Sequence, residues 1–114
     1  MGCQKLFPGP QRMREVMNVY VAILKSLENS SELRAATKPE HDAYWATRMS
    51  SLRLAGPMLS DDGATRLGQV IVLAVESRAA AEDIVFNDPF YKAGLFSSCD
   101  IRRFNISVDN SGQA

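Results

Sequence analysis

The chain contains a single histidine, His41, which is its first candidate for acid–base chemistry. A neutral imidazole can accept a proton near pH 7, because its ordinary pKa lies close to that value. The surrounding pattern predicts that His41 lies about one turn into a helix, where unpaired backbone N–H groups disfavour added positive charge and favour the neutral ring. The alternative is a surface or packing histidine, and the residue pattern alone favours that alternative.

Two other groups of residues invite a chemical interpretation. Asp61 and Asp62 resemble a paired-carboxylate site, but Gly63 follows directly, which is typical of a turn. Cys3 and Cys99 are the only cysteines, and no CxxC or Cys/His spacing that could hold zinc is present. We therefore predict free thiols rather than a disulfide, and no zinc site. The leading hypothesis given below also includes no metal and no organic cofactor.

The charge balance argues against nucleic acid as a partner. Thirteen basic residues offset 13 acidic ones, so the formal net charge of zero supplies no field that would attract phosphates.

The longest apolar run, Val70 to Val75, is far too short to cross a bilayer, which needs about 20 residues. Met1 to Pro10 lacks the apolar core of an export signal. We expect a cytoplasmic protein without membrane association.

Four segments have the composition of β-strands. The two strongest are rich in β-branched residues and are apolar on both faces, which indicates that both faces are covered. A short strand precedes the Asp62-Gly63 turn, and the last strand places Phe104, Ile106 and Val108 on one face. The predicted strands are Val16–Leu24, Met58–Ser60, Leu67–Glu76 and Ile101–Val108.

Three helices are predicted between these strands. Thr37 and Glu40 have the spacing of a capping box with Pro39 in the first turn, so Lys25–Ala36 is interpreted as a loop or a frayed helical turn. This helix is predicted to end at Gly56, where Pro57 blocks its continuation. Ser77 and Asp88 are predicted to cap the other two helices, which cover Arg78 to about Asn87 and Pro89 to Ala93, with Gly94 closing the last.

The order strand, helix, strand, strand, helix, strand indicates an α+β domain of ferredoxin-like topology with a four-stranded antiparallel sheet. Both helices of such a fold cover one face of the sheet. The other face would expose more apolar surface than monomers usually tolerate, so we predict a homodimer. At 114 residues the chain fits one domain, predicted over 15–110, preceded by a disordered extension over 1–14.

Several segments together resemble the YCII-related family. They are Lys38-Pro-Glu-His41, Ala55-Gly56-Pro57, Gly68 before a strand that ends in Glu76-Ser77, and Asp88-Pro-Phe-Tyr-Lys-Ala-Gly-Leu95. The resemblance covers about residues 16–108, and the last of these segments is the most specific. It implies a dimeric α+β barrel, in which two ferredoxin-like subunits pack sheet to sheet.

The resemblance also implies an active-site pair formed by His41 and Asp88. An aspartate that accepts a hydrogen bond from one ring nitrogen fixes the tautomer and stabilises the imidazolium that forms. Helix capping alone would also explain Asp88. Trp45 and Phe90 could line a substrate pocket, as could the backbone at Gly56 and Pro57, but core packing and helix termination explain these residues equally.

The family includes a chlorohydroquinone dehydrochlorinase, and the wider fold includes muconolactone isomerase and haem-degrading monooxygenases. The leading hypothesis is therefore a small enzyme of the lyase or isomerase type that acts on a small, cyclic or aromatic metabolite. One alternative is a module that binds a small ligand or a partner without catalysis. Another is haem binding through His41, which rests on fold analogy alone.

Overall fold

The structure, a computed structural model, describes residues 17–113, so the expectations for residues 1–14 and for Val16 lie outside the described range. Four strands form one antiparallel sheet in the order β2-β3-β1-β4, and the predicted α+β ferredoxin-like topology is confirmed. Within residues 17–113, no helix has the length and apolar character needed to cross a membrane. The elements are β1 Asn18–Ser26, α1 Ser31–Ala46, β2 Leu52–Leu59, β3 Arg66–Val75, α2 Arg78–Phe86, α3 Pro89–Lys92 and β4 Phe96–Arg103, with short 3-10 turns at Met49–Ser51 and Ser111–Gln113.

The core lies between the helices and one face of the central strands β1 and β3. The register pairs Tyr20 with Leu73 and Ala22 with Ile71, and all four side chains are buried. Ala81 and Val85 of α2 and Trp45 of α1 belong to the same cluster. Because neighbouring residues of a strand point to opposite faces, Val19, Val21, Ile23, Val70 and Ala74 lie on the other face, the helix-free face, which none of the α-helices in residues 17–113 covers.

The first helix begins earlier than predicted. It starts at Ser31, so half of the segment Lys25–Ala36 is helical, and Thr37 is buried inside the helix rather than at its cap. The segment Ser31–Ala36 contains good helix formers, and Arg34 reaches back to the Ser30 hydroxyl, which supports this start. Pro39 is therefore an interior residue, where its missing N–H leaves the helix one hydrogen bond short.

The first helix also ends earlier than predicted, at Ala46 rather than at Gly56. Gly56 and Pro57 lie within β2, paired with Val70 and Gln69 of β3. β2 is an edge strand, so a proline there need not remove a hydrogen bond of the sheet. The reading of this pair as a helix terminator is wrong, because an edge strand tolerates the same residues.

The last strand lies five residues before its predicted position. β4 is the other edge of the sheet and buries only Ile101 fully, so its composition carries a weak strand signal. Phe104, Ile106 and Val108 follow the strand and line a cavity together with Leu54 and Val72. The apolar alternation that suggested a strand thus belongs to a segment beside the helix-free face.

The two short helices begin as predicted. The Ser77 hydroxyl accepts a hydrogen bond from the Ala80 N–H, and the Asp88 carboxylate accepts one from the Phe90 N–H. Gly94 follows α3 with φ of +81°, a conformation that favours glycine. The two caps set where α2 and α3 begin, and Gly94 sets where α3 ends.

We expect Gly68→Ala to destabilise the fold by about 1–3 kcal/mol, because the site has no room for a methyl group. A Cβ there would collide with the Leu24 carbonyl oxygen of β1 and would lie 2.7 Å from the Met58 Cε. Gly56→Ala is the matched control in the neighbouring strand, since no atom lies within 4 Å of its Cβ position. Urea denaturation measures both. Equal losses in the two variants would contradict the packing account.

Candidate active site

Asp88 connects three parts of the chain through its two carboxylate oxygens. Its Oδ1 accepts the Phe90 N–H at 2.9 Å and lies 2.7 Å from Nδ1 of His41. Its Oδ2 accepts the indole N–H of Trp45 at 3.0 Å. The side chain is only 4% exposed, so these donors replace most of the water that would otherwise solvate the carboxylate. Asp88 is therefore both a helix cap and the centre of a buried polar network.

This set of partners determines the tautomer of His41. The Phe90 backbone and the Trp45 indole can only donate, so Asp88 uses one lone pair of each oxygen to accept from them. An ionised Asp88 can only accept from the imidazole as well, which places the ring proton on Nδ1. In the neutral ring, Nε2 then carries the lone pair. That nitrogen is the one that can act as a base.

His41 lies in the third turn of α1, not in the first, so the predicted influence of the helix N-terminus is wrong. Its ring stacks on Phe90 with centroids 3.7 Å apart and planes inclined by 10°. The side chain remains 15% exposed, and within residues 17–113 its Nε2 has no hydrogen-bond partner. The ring is thus fixed on one side and accessible at the nitrogen that carries the lone pair.

Trp45 supports the pair from one helical turn away. It is buried, and its only ring N–H points at Asp88 rather than into a cavity. The sequence alone allowed a pocket wall or a core residue at this position and did not predict this hydrogen bond. The spacing of His41 and Trp45 at i and i+4 was the available signal, since such residues share one helix face.

Tyr44, the residue before Trp45, joins α1 to α2. Its hydroxyl donates to the Ile84 carbonyl at 2.6 Å, and the Arg48 guanidinium lies 3.8 Å from the centre of its ring. Burial raises the pKa of Tyr44, with Asp88 and Asp83 adding to the effect and Arg48 opposing it. The phenol therefore remains a hydrogen-bond donor over the physiological range.

An open groove of about 650 Å³ runs alongside α1 next to this network. It is lined by Thr37, Glu40, Tyr44, Arg48, Asn87, Pro89, Lys92 and Ala93. Several of these residues neighbour His41 or Asp88 in the sequence, but none of them was predicted as a site residue. Positions that share a groove only through tertiary packing give no local signal.

The structure brings four of the six predicted site residues together: His41, Asp88, Trp45 and Phe90. Gly56 and Pro57 lie on β2. Within the described part of the chain, neither residue forms a hydrogen bond with any of these four residues. Their role in a substrate pocket stays a prediction. Among residues 17–113, no three His, Cys, Asp or Glu side chains form a group that could hold a metal ion.

We expect Trp45→Phe to lower the free energy of unfolding by about 1.5–3 kcal/mol, because it removes a hydrogen bond to a buried charged group. Tyr44→Phe is the matched control, since it removes a partly buried hydrogen bond to a neutral carbonyl and should cost only about 0.5–1.5 kcal/mol. Thermal or urea unfolding compares the two variants. A smaller loss for Trp45→Phe than for Tyr44→Phe would contradict the network.

The comparisons with known proteins show the family of this chain. The family model described as the YCII-related domain matches residues 18–105. The chain is similar to a solved structure of 5-chloro-2-hydroxyhydroquinone dehydrochlorinase (TftG) from Burkholderia phenoliruptrix AC1100 in complex with 2,5-dihydroxybenzoquinone. The identity is 26%, the match covers 76% of this chain and 93% of that one, and the TM-score is 0.68.

A second similar structure shows the fold alone. It is a protein from Bacteroides thetaiotaomicron VPI-5482 described as an antibiotic biosynthesis monooxygenase, with 12% identity and a TM-score of 0.53. That match covers 83% of this chain and 93% of the other. Among curated proteins, none matches the chain.

Proposed function

Since the chain belongs to the YCII-related family, we propose that it is a small-molecule enzyme in which His41 is the general acid–base group and Asp88 positions it. The observation that supports this most directly is the 2.7 Å contact between His41 Nδ1 and a buried carboxylate, with Nε2 left without a partner in residues 17–113. A positioned imidazole of this kind typically contributes about 10²–10⁴-fold to a proton-transfer step.

The proposed reaction is a proton transfer coupled to elimination or isomerisation on a small hydroxylated ring. In the elimination, a proton from a ring hydroxyl passes through Nε2 to the ring carbon that bears the halogen. Loss of a second hydroxyl proton to Nε2 then forms a carbonyl, and the electron pair expels halide. The ring becomes a quinone, one hydrogen halide leaves, and no external oxidant is needed.

Two features of the site fit this chemistry. The imidazole gains a positive charge each time it accepts a proton, and Asp88 lies against the ring to stabilise that charge. The face of the Phe90 ring, stacked on the imidazole, carries partial negative charge and favours the same cation. Both partners act on the charged intermediate, which is where an enzyme gains rate.

The test is an assay of halide release from 5-chloro-2-hydroxyhydroquinone, the compound named for the similar dehydrochlorinase. We expect the chain to accelerate chloride release from this compound or to isomerise a related hydroxylated ring. Binding of these compounds without turnover, at an affinity that His41→Ala leaves unchanged, would instead support a non-catalytic ligand-binding module.

The second part of the proposal is that two copies pack through the helix-free face of the sheet. Ile23 is 40% exposed there, and its neighbours Val19, Val21, Val70 and Ala74 continue the apolar surface. Asp100 and Arg102 of β4, which pair with each other at 3.0 Å, border it. An apolar centre with a polar border is typical of a subunit interface.

We expect Ile23→Glu to convert this dimer to a monomer, because the interface would have to bury an unpaired carboxylate. Leu33→Glu is the control, since Leu33 is 45% exposed and lies on α1, away from the helix-free face. Light scattering measures the mass of each variant. A wild-type chain that remains a monomer at micromolar concentration would refute this part of the proposal.

A further inference from the structure

An open cleft of about 940 Å³ lies where β1 leads into α1. Lys25, Arg34 and Arg66 line it and come from three different elements. Among the described residues of the lining, Glu28 is the only acidic one, so three positive charges face a single negative one. The cleft therefore carries a net positive charge in a chain whose overall charge is zero.

The two arginines are not neutralised by the protein. Among residues 17–113, neither Arg34 nor Arg66 forms an ion pair, whereas Arg53, Arg78 and Arg102 each have an aspartate or glutamate within 3.0 Å. Burial and the neighbouring Arg66 guanidinium lower the pKa of Arg34. Like charges brought together without a counterion cost free energy, and a bound anion would offset that cost.

Arg34 is also held in place. Its Nη2 lies 3.3 Å from the hydroxyls of both Ser26 and Ser30, so one end of the guanidinium is fixed while its remaining N–H groups are left for another acceptor. Ser31 adds a hydroxyl group to the lining. The Ser30 and Ser97 hydroxyls also lie there, but each already donates to a backbone carbonyl. Guanidinium groups and hydroxyls together match the several oxygens of a tetrahedral oxyanion.

We propose that this cleft binds a phosphate-type dianion, either free phosphate or the phosphate group of a small phosphomonoester. The net charge of the lining, three positive groups against one negative, is the charge that a dianion neutralises. A carboxylate would balance only half of it. The site is lined by other residues than those of the His41–Asp88 network, so it stands or falls independently of the proposed reaction.

The test is calorimetric titration of the full chain with inorganic phosphate at constant ionic strength. We expect saturable binding of phosphate to the wild-type chain, with an affinity at least about tenfold higher than that for acetate. The phosphate affinity should fall at least about tenfold in Arg66→Gln and in Arg34→Gln. Arg78→Gln is the control, because Arg78 is already paired with Glu82 at 3.0 Å. The phosphate affinity of this variant should stay within about twofold of wild type.

Arg66→Gln also guards against a folding artefact. Arg66 is exposed and forms no hydrogen bond or ion pair through its side chain in the described residues, so its loss should not unfold the chain. Titration with methyl phosphate separates the two sources, since tighter binding than inorganic phosphate identifies a phosphomonoester. Absence of saturable phosphate binding would overturn the proposal, as would an equal loss of affinity in Arg78→Gln.

Discussion

His41→Ala should lower kcat/KM about 10²–10⁴-fold, the range that a positioned general acid–base group contributes. The variant removes the only imidazole in the chain, so no second histidine can replace it. It should fold, because His41 contributes one hydrogen bond to Asp88 and leaves the Phe90 and Trp45 donors in place. Steady-state kinetics on a turned-over hydroxylated ring compound provide the measurement.

Two additional experiments distinguish chemistry from structure. Lys38→Ala is the control on the same helix, because Lys38 is 62% exposed and pairs with Asp42, which is itself 56% exposed. Added imidazole should restore part of the activity of His41→Ala, since a free base can occupy the vacated position. Full activity in His41→Ala would exclude this residue as the base.

Asp88→Asn should lower kcat/KM by a similar factor, about 10²–10⁴, and should also destabilise the fold by about 1–3 kcal/mol. The amide offers one oxygen where the carboxylate offers two. If its NH₂ faces Trp45, two donors oppose each other in a buried site. If it faces His41 and Phe90, it opposes the Phe90 N–H and donates to Nδ1, which moves the ring proton to Nε2 and removes the base.

Asp83→Asn is the matched control for this variant. Asp83 lies on α2 and is exposed, and within residues 17–113 its carboxylate accepts a hydrogen bond only from the Asn87 side chain. Its conversion to an amide should therefore change activity and stability little. Urea denaturation and kinetics are compared for the two variants. Equal effects at both positions would show that Asp88 acts only through general electrostatics rather than through its hydrogen bonds.

The sequence predicted the fold where local signals and tertiary packing agree. The β-branched runs of β1 and β3 identify the central strands, because both faces of these strands are apolar. The Ser77 and Asp88 caps and Gly94 identify the second and third helices, because each device acts within a few residues. These features are sufficient for the topology.

The sequence was misleading where two elements compete for the same residues. Thr37, Pro39 and Glu40 form a good helix start, but the helix formers before them extend α1 back to Ser31. Phe104, Ile106 and Val108 alternate like a strand. The strand that pairs with β1 on the side away from β3 is nevertheless the more polar segment that ends at Arg103. Only the register with β1 decides this.

The candidate site was predicted in part. The family resemblance named His41 and Asp88, which the structure places in contact although 47 positions separate them in the chain. The Trp45 hydrogen bond and the groove beside Tyr44 and Arg48 depend on how α3 lies against α1. No local pattern specifies that contact. The sequence therefore named Trp45 without its hydrogen bond to Asp88, and it did not name the residues of the groove.

The most direct test of the acid–base pair is the ¹⁵N NMR spectrum of the imidazole at a pH where the ring is neutral. His41 is the only histidine, so both imidazole nitrogen signals belong to it. We predict that the proton lies on Nδ1 and that Nε2 has the chemical shift of a nitrogen with a free lone pair. A proton on Nε2, or an even mixture of the two tautomers, would contradict the proposed role of Asp88.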